Sequence, residues 1–501
     1  MQLPVLLATA AATSLLHAKN KRLRLRGRSR ETDAWARTVA RAHDEGQEFA
    51  RILQDDIMSP MAETLRRHAQ RPVVAINNPG GTSVTCYELG GTGSAPRLGE
   101  KVGPLTSQTV CVFERICLEQ VKFIDPQHRE NSYWQFVAAQ SPLLPTGRYD
   151  FPPSVTRLSG ASKLVVKPSL PAENQTWTET PTWLMTHSFA RHTTHFLEHV
   201  APMFMATTLI SKEKLNGLVQ SIRLVNHAEP LGDWQKGVLA AAAQLDSVDA
   251  LDPILHLGPE PTCYQKACIP GFVFELFEEP WSARAFKQAV YGLLKLPLPA
   301  APGRQVTFLH RSDKRRLANE DELVQHVQQL VPVGVAVEVI SQATMSFRSQ
   351  VATMAKSGLI IGIHGADLTN CVFQAAGSVM IEVNPADWQD ARFLRACGTN
   401  DVNYLSYNDA KQTGHSWPWA HFPSVACPKL SRALMLCDDV GDDTKADNDV
   451  VVDRKRFTAL FLEAMSLLRW TETRAVYSPF PDDFALLGVA RVRQERRPSE
   501  G

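Results

Sequence analysis

The sequence has almost no excess of charge of either sign. Its 53 basic and 52 acidic side chains, among 501 residues, give a formal net charge of +1 at pH 7. This balance excludes the overall positive field that is typical of nucleic-acid-binding proteins. We therefore expect no nucleic-acid partner, and any anionic ligand has to be held by a local group of charges.

Two common signatures are also absent. No Gly-x-Gly-x-x-Gly fingerprint follows a predicted strand, so a dinucleotide-dependent dehydrogenase is a weak interpretation. No pair of cysteines has the two-residue spacing of a typical zinc site. The sequence has no internal repeats and no low-complexity tract. Because 44% of the residues are hydrophobic, the chain can still form a large core.

Long hydrophobic runs are missing after residue 18. Residues 1–18 are apolar, end in a small residue and precede a basic stretch, as a secretory signal peptide does. The run is shorter than the about 20 residues of a membrane span, so a short uncleaved anchor is the alternative. We expect the secretory pathway, in the lumen of the ER or Golgi, with membrane attachment only if residues 1–18 remain.

The nine cysteines can form disulfides if the chain is secretory. The sequence favours the near neighbours Cys111 with Cys117 and Cys263 with Cys268; reduced thiols in a cytosolic protein are the alternative. Asn174 lies in Asn-Gln-Thr and would accept an N-glycan in the ER.

Composition also suggests the domain organisation. Residues 19–70 are charged and helix-prone, which predicts a helical stem. A proline-rich loop at 294–305 predicts a domain boundary between 71–293 and 303–475. Residues 476–501 form a tail.

The region after 303 alternates between strand and helix patterns. Apolar runs predict strands at 306–309, 335–340, 359–363 and 378–383. Asn319 and Glu322 have the spacing of a capping box at the start of the first helix. This alternation predicts an α/β fold with a doubly wound parallel sheet, in which ligands bind outside the carboxyl ends of the strands.

Two loops at such carboxyl ends could bind an anion. After strand 359–363, Gly365 allows close approach of a ligand, His364 can donate to a phosphate oxygen, and a short helix from Asp367 presents its N-terminus. After strand 306–309, four cations crowd one loop, and an arginine can hold a diphosphate bidentately. The alternatives are an ordinary strand–turn–helix corner and a solvated basic turn.

The two segments together resemble glycosyltransferase family 61. LHRSDKRRLANEDEL (309–323) is similar to that family's S-R-R…R-x-x-N-E-x-E-L, and IHGADLTN…SVMIEV (363–383) to its H-G-A-G-L-x-N…V-x-E. The similarity covers 306–385, with a fainter match in HTTHFLEHVAP (192–202).

The resemblance implies an inverting glycosyltransferase of the B type, with two Rossmann-like domains facing a cleft. It implies a UDP-sugar donor carrying GlcNAc or xylose, a protein or glycan hydroxyl as acceptor, and no permanently bound cofactor or metal. Residues 71–293 would form the acceptor side, and residues 303–475 would bind the nucleotide sugar.

The same resemblance implies the site residues. Arginines would hold the diphosphate, the 364–370 loop would line the phosphate and sugar, and a strand-end glutamate would bind the ribose, unless that carboxylate is simply satisfied within the protein. The donor-binding residues would be Arg311, Arg315, Arg316, His364, Gly365, Ala366, Asp367, Asn370 and Glu382.

The catalytic base is predicted on the helix that follows residue 192. His195 keeps the family's histidine position, and Glu198 lies three residues on, so the two share a helix face. His195, or Glu198, is therefore the predicted base or acceptor contact; a zinc cluster and a polar helix face are the alternatives. The chain departs from the family at Asp367 (glycine in the family), at His192 (asparagine) and at His199 (acidic).

These departures leave two competing interpretations. One is a non-catalytic relative that binds nucleotides or carbohydrates and has lost the base. The other is a generic Rossmann-type enzyme that uses another nucleotide.

Overall fold

The structure is a computed structural model. It describes residues 72–78, 80–89, 109–124, 130–140, 147–150, 163–170, 176–185, 192–210, 220–225, 229–258, 262–270, 276–277, 280–385, 388–389, 392–408, 440–441, 449–468 and 470. The predicted signal or anchor, the stem, Asn174 and the tail lie outside these residues. All described residues belong to one unit, Met61–Gly501. No described helix combines the length and apolarity needed to cross a membrane.

The first part of the chain forms one mixed sheet of eleven strands. They are β1 Pro72–Ile76, β2 Ser83–Glu88, β3 Thr109–Ile124, β4 Glu130–Ala139, β5 Gly147–Asp150, β6 Lys163–Lys167, β7 Thr176–Thr178, β8 Thr182–Met185, β9 Ser221–Leu224, β10 Leu255–Leu257 and β11 Thr262–Pro270. The main order is β10-β9-β8-β11-β3-β4-β6-β5; β2 also pairs with β3, β1 with β2, and β7 with β11.

The second sheet has five strands, all parallel, in the order β13-β12-β14-β15-β17. They are β12 Gln305–Leu309, β13 Ala336–Ile340, β14 Leu359–Ile363, β15 Val379–Asn384 and β17 Asn403–Asn408; β16 Trp388–Gln389 pairs separately with β18 Val440–Gly441. The four predicted strands are confirmed as β12 to β15, within one residue at each end.

Seven α-helices and three 3-10 helices occur in the described residues. The α-helices are α1 Thr193–Leu209, α2 Asp233–Ala242, α3 Pro280–Leu293, α4 Glu320–Leu330, α5 Phe347–Lys356, α6 Arg392–Thr399 and α7 Arg454–Leu467; the 3-10 helices are η1 Asp249–Leu251, η2 Gln342–Thr344 and η3 Ala366–Phe373.

The α/β class is confirmed, but two Rossmann-like domains are not. In the first sheet β11, β8, β9 and β10 form a parallel run, with α1 and α2 as the crossovers from β8 to β9 and from β9 to β10. The other parallel pairs of this sheet are β4 with β6 and β7 with β11. β3 pairs antiparallel with β11, β4 and β2. The alternation of strand and helix patterns, on which a doubly wound sheet depends, is clear only after residue 303.

The predicted disulfides are wrong. Cys111 and Cys117 lie six residues apart on the single strand β3, and at about 3.3 Å per residue this separates them by roughly 20 Å. A disulfide needs Cα atoms within about 7 Å. The bonds instead join neighbouring strands, Cys86 to Cys111 and Cys117 to Cys263, at paired positions of the sheet. The other described cysteines, Cys268, Cys371 and Cys397, are buried and reduced.

The predicted capping box is also wrong. Asn319 does precede α4, but its side chain makes no cap bond there. Its amide instead donates to the carbonyl of Val452 and accepts from the backbone N–H of Val452, both at 2.9 Å. Because Val452 offers two backbone hydrogen bonds, Asn319 holds the segment before α7 against the start of α4.

Helices α1, α2 and α3 contact the helices beside the second sheet. Asp233, at the start of α2, accepts from the backbone N–H of Phe347, the first residue of α5. On α3, the buried Lys287 and Tyr291 side chains donate to the carbonyls of Gln374 and Phe373, at the end of η3. These contacts hold α2 against α5 and α3 against the end of η3.

Candidate active site

The polar residues gather where the winding of the second sheet reverses. From β12 the chain passes to β13 on one side, and from β13 it returns to β14 on the other side of β12. The loops after β12 and β14 therefore diverge and leave a crevice at the carboxyl edge, where ligands bind in such sheets. We call Arg311, Arg315, His364, Gly365 and Asp367 the switch-point crevice.

Arg311 lies directly over Gly365. Its Nη1 donates to the carbonyl of His364 at 3.4 Å, and its Nη2 lies 3.5 Å from Oδ1 of Asp313. A Cβ on Gly365 would overlap the guanidinium. The backbone at Gly365 is extended, with φ of 166°, so the position needs glycine for space and not for its dihedral angles. This packing aims Arg311 across the loop after β14.

Arg315 and Arg316, which are neighbours in the sequence, have different surroundings in the structure. Arg315 adopts a left-handed backbone with φ of 56°, which turns the chain between it and Arg316. Arg316 is exposed and holds Asp449 through Nε at 3.0 Å and Nη2 at 2.6 Å. Asp449 ends an Asp-Asn-Asp triplet at 447–449. Arg315, and not Arg316, is therefore the second arginine of the crevice.

Asp367 contributes a negative charge to the crevice. Burial is the main cause that raises the pKa of this carboxyl; the charge of Arg311 lowers it, Asp313 raises it and Arg315 lowers it again. The carboxylate thus offsets part of the positive charge of the two arginines. The sequence predicted a helix start at this position. The 3-10 helix η3 does begin there, but no side chain makes a capping hydrogen bond to it.

Glu382 holds His364 from behind. Oε1 of Glu382 lies 2.5 Å from Nδ1 of His364, and its Oε2 accepts from the hydroxyl of Tyr404 at 2.6 Å. Glu382 is fully buried. Because side chains alternate along β15, it points to the opposite face of the sheet from Ile381 and Val383, which belong to the hydrophobic core. Both carboxylate oxygens already accept hydrogen bonds within the protein, and the residue is fully buried, so a ribose could reach it only if the surrounding residues moved.

Asn370 is similarly engaged. Its Nδ2 donates to Oε1 of Gln342 at 2.6 Å and to Oε1 of Gln350 at 2.8 Å, while its Oδ1 accepts from the indole N–H of Trp234 at 2.7 Å. The side chain is buried and both amide hydrogens are donated to protein groups. The contacts make Asn370 a connection between α2, α5 and η3, and leave no amide hydrogen for a sugar.

The N-terminus of α1 reaches the same crevice from the first sheet. The hydroxyl of Thr193 donates to the carbonyl of Ala366 at 2.9 Å, and the hydroxyls of Thr194 and Thr369 lie 2.6 Å apart. These two contacts hold the first turn of α1 against the start of η3. They bring His195 to the crevice, although it is 169 residues away from His364 along the chain.

His195 forms a pair with Glu198, as its helical spacing predicts. Nδ1 of His195 lies 2.8 Å from Oε2 of Glu198, and Nε of Arg392 lies 3.2 Å from Oε1. Glu198 is fully buried, whereas the His195 side chain is 22% exposed. A carboxylate can only accept, so Nδ1 donates the hydrogen bond and the lone pair lies on Nε2. The arrangement gives a partly exposed imidazole a fixed, basic nitrogen.

The two neighbouring histidines are weaker candidates for the base, because their surroundings lower both pKa values. Burial, followed by the charges of His195, Arg392, Arg315 and His364, lowers the pKa of His192 to about 3. Burial and then His195 lower the pKa of His199 to about 3. Nδ1 of His192 also faces the backbone N–H of His195 at 3.5 Å, as the cap of α1. No group of three or more His, Cys, Asp or Glu side chains that could hold a metal ion occurs in the described residues.

Comparison with known proteins finds a family match in this region. Residues 181–381 fit the family model described as Glycosyltransferase 61. The match includes His195 and Glu198 on α1 and every residue of the switch-point crevice. This part of the chain is a glycosyltransferase 61 domain.

Individual members of the family show partial similarity. The chain is 28% identical over 138 residues to protein O-linked-mannose beta-1,4-N-acetylglucosaminyltransferase 2 of Tetraodon nigroviridis, which covers 25% of this chain and 24% of the relative. It is 28% identical over 176 residues to beta-1,2-xylosyltransferase XYXT1 of Oryza sativa subsp. japonica, covering 33% and 36%. It is 31% identical over 128 residues to EGF domain-specific O-linked N-acetylglucosamine transferase of Xenopus laevis, covering 25% and 24%. The chain thus matches between a quarter and about a third of each relative.

The sequence analysis did not identify three residues that support the site, which lie in or near the glycosyltransferase 61 domain. Arg392 neutralises Glu198, Tyr404 binds Glu382, and Trp234 binds Asn370. A buried carboxylate requires a cation or a donor, so the first two partners could be expected in kind. Nothing in their sequence neighbourhoods identifies them, because each lies on a different element from the residue it contacts.

Proposed function

We propose that this protein is an inverting glycosyltransferase that moves a sugar from a UDP-sugar to a hydroxyl group of a protein or glycan. The names of the similar proteins include N-acetylglucosaminyl and xylosyl transfer, so GlcNAc and xylose are the sugars to test first. The matched region, which includes α1 and strands β12 to β14 and ends within β15, supports the transferase class.

One observation carries the proposal: the first turn of α1, which bears His195, is hydrogen-bonded to the start of η3, beside the arginines of the switch-point crevice. The Thr193–Ala366 hydrogen bond ties the two sides together. An inverting transfer needs a base on one side of the sugar's anomeric carbon and charge stabilisation of the leaving diphosphate on the other. The site offers one group of each kind, on opposite elements.

The base would be His195. Nε2 takes the proton of the acceptor hydroxyl while its oxygen forms a bond to the anomeric carbon. The bond from that carbon to the diphosphate oxygen breaks, and the electron pair leaves with UDP. Glu198 orients the imidazole, and Arg392 holds Glu198. General base catalysis of this kind typically contributes about 10²–10⁴-fold to the rate.

The leaving group would be bound by Arg311 and Arg315. A guanidinium remains charged at all relevant pH values and can bind two phosphate oxygens at once. Gly365 leaves room for Arg311 and its ligand, and His364, oriented by Glu382, adds a polar side chain at the loop. We expect neither a permanently bound cofactor nor a metal requirement.

A non-catalytic relative is the second candidate, and Asp367 favours it. Its carboxylate lies in the field of the two arginines, where a donor's phosphates would have to bind. Like charge in the crevice weakens such binding. Under this alternative the chain binds a nucleotide or a carbohydrate and does not turn over a sugar nucleotide.

Localisation in the secretory pathway is part of the proposal. Two cross-strand disulfides, Cys86–Cys111 and Cys117–Cys263, are stable in an oxidising compartment and rare in the cytosol. A membrane attachment would require that residues 1–18 remain uncleaved.

Nucleotide binding and turnover test the proposal in two steps. A thermal-shift screen with UDP, GDP, CMP and NAD, with and without EDTA, is expected to give stabilisation by UDP that EDTA does not change. UDP-GlcNAc and UDP-xylose are then assayed for UDP release and for transfer. No shift with any uridine nucleotide, or a shift with NAD, would contradict the proposed donor.

His195→Gln separates the two candidates. We expect this variant to lose about 10²–10⁴-fold in turnover while it keeps the thermal shift with UDP. The matched control is His326→Gln, because His326 on α4 bonds Thr458 on α7. UDP binding without any turnover by the unaltered protein would support the non-catalytic relative.

A further inference from the structure

A second cavity lies in the first sheet, away from the candidate active site. It has a volume of about 780 Å³, within the roughly 300–1,000 Å³ typical of small-molecule pockets. None of its described lining residues belongs to α1 or to the second sheet. The proposed transfer reaction therefore makes no use of it.

The cavity forms where β3 changes partners. Residues 109–114 of β3 pair with β2, and residues 116–124 pair with β4. Arg115 lies between them with a left-handed φ of 61°, a conformation that is unfavourable for a non-glycine residue and that recurs at functional sites. The change of partner leaves an opening between the turn before β2 and the end of β4.

The surroundings hold this opening in a fixed shape. The buried hydroxyl of Thr82 donates to the carbonyl of Arg115 at 2.6 Å and accepts from the backbone N–H of Ala139 at 2.8 Å. The Cys117–Cys263 disulfide lies beneath, and Leu170 and Trp177 pack on it. A ligand would therefore meet a preformed pocket, which lowers the entropic cost of binding.

Several polar side chains that line the cavity have no hydrogen-bond partner among the described residues, whereas the amide of Asn78 donates to the carbonyl of Gln140. The Arg115 guanidinium lies 5.9 Å from the ring centre of Trp177, and among the described residues it forms no hydrogen bond or ion pair. The same holds for the side-chain amides of Gln140 and Gln265 and for the indole N–H of Trp177. No acidic side chain is among the described lining residues.

We propose that this cavity is a binding site for an oligosaccharide, separate from the catalytic centre. The face of an aromatic ring packs against the C–H face of a sugar, as Trp177 could do. Planar amides and a guanidinium donate pairs of hydrogen bonds that fit neighbouring hydroxyls. Because the described lining residues include one cation and no acidic side chain, the site prefers a saccharide that carries a carboxylate. The inference rests on the cavity alone and not on the proposed donor chemistry.

Calorimetric titration of the full chain tests the site. The probes are chitotriose, xylotetraose and xylotetraose bearing one glucuronic acid. We expect at least one of them to bind, and the acidic sugar to bind more tightly than the unsubstituted xylotetraose. Arg115→Asn and Gln265→Ala should each weaken binding by about tenfold, since each removes hydrogen bonds to the ligand. Asparagine tolerates a left-handed backbone, so Arg115→Asn should fold.

The control is Lys266→Gln, which changes the next residue of β11, outside the cavity lining. It should leave saccharide binding unchanged, and all three variants should keep the thermal shift with UDP. The site is refuted if none of the three saccharides binds, or if Arg115→Asn and Gln265→Ala bind as well as the unaltered protein. Binding of an acidic peptide such as oligoglutamate, with no saccharide bound, would also overturn it. A missing UDP shift would count against the donor site only.

Discussion

Asp367 is the acidic residue of the switch-point crevice. It adds a carboxylate where two arginines would otherwise face a diphosphate alone. We predict that Asp367→Gly binds the preferred UDP-sugar about tenfold more tightly, the equivalent of ~1.4 kcal/mol, because one repulsive charge is removed. Calorimetry measures this change, and Asp367→Asn should reproduce most of it if charge is the cause.

The same residue gives the affinity a pH dependence. Because burial raises the pKa of Asp367, the carboxyl is neutralised at a higher pH than an ordinary aspartate. The affinity of the unaltered protein for the UDP-sugar should therefore rise as the pH falls through that pKa, and the advantage of Asp367→Gly should shrink. An advantage that stays constant at acidic pH would contradict the charge explanation.

Gly365 is needed because Arg311 occupies the space that a side chain would take. We predict that Gly365→Ala folds normally but loses at least about tenfold in affinity for UDP, since the displaced guanidinium loses a charge-assisted contact. Arg311→Ala should cost a similar amount. The double variant should be no worse than Arg311→Ala, because both changes remove one interaction. Additive losses would refute the coupling between the two residues.

At the scale of elements, the contact between α2 and α5 connects the two sheets. Phe347 packs edge-on against Trp234, and a Cβ on Gly237 would overlap its ring. We predict that Gly237→Ala lowers the free energy of unfolding by about 1–3 kcal/mol, because overpacking forces one helix to shift. Urea unfolding measures the loss.

Gly292→Ala is the matched control for that prediction. Gly292 lies on α3 with nothing within 4 Å of an added Cβ. There, alanine should raise stability by roughly 0.5–1 kcal/mol through helix propensity alone. If both substitutions stabilise the protein equally, α2 does not pack against Phe347 as described.

At the scale of the whole molecule, the two disulfides differ in the length of chain they close. Cys117–Cys263 spans 146 residues and Cys86–Cys111 spans 25. On the chain-entropy account, they contribute about 5 and about 3.5 kcal/mol respectively. We predict that Cys117→Ala with Cys263→Ala lowers the unfolding free energy more than Cys86→Ala with Cys111→Ala.

Peptide mapping without reduction checks the connectivity on which this depends. It should recover peptides that join Cys86 to Cys111 and Cys117 to Cys263. A peptide with Cys111 bonded to Cys117 would contradict the sheet register, because both belong to one continuous strand.

Local sequence patterns were sufficient to predict the second sheet and the loops that follow β12 and β14. Mainly apolar runs that alternate with helix patterns favour parallel strands, and Arg311 and His364 follow the carboxyl ends of two of them. The sequence also determined that His195 and Glu198 share one face of a helix, since that is fixed by local geometry.

The tertiary structure decided what lies across the site. Packing leaves Arg315 in the crevice and pairs Arg316 with Asp449. It also places Glu382 against His364, Asn370 between helices, and Arg392 against Glu198. Each of these depends on which elements become neighbours, and so does the pairing of cysteines on adjacent strands. Local patterns set periodicity and strand ends, whereas contacts between residues distant in the chain are set only by packing.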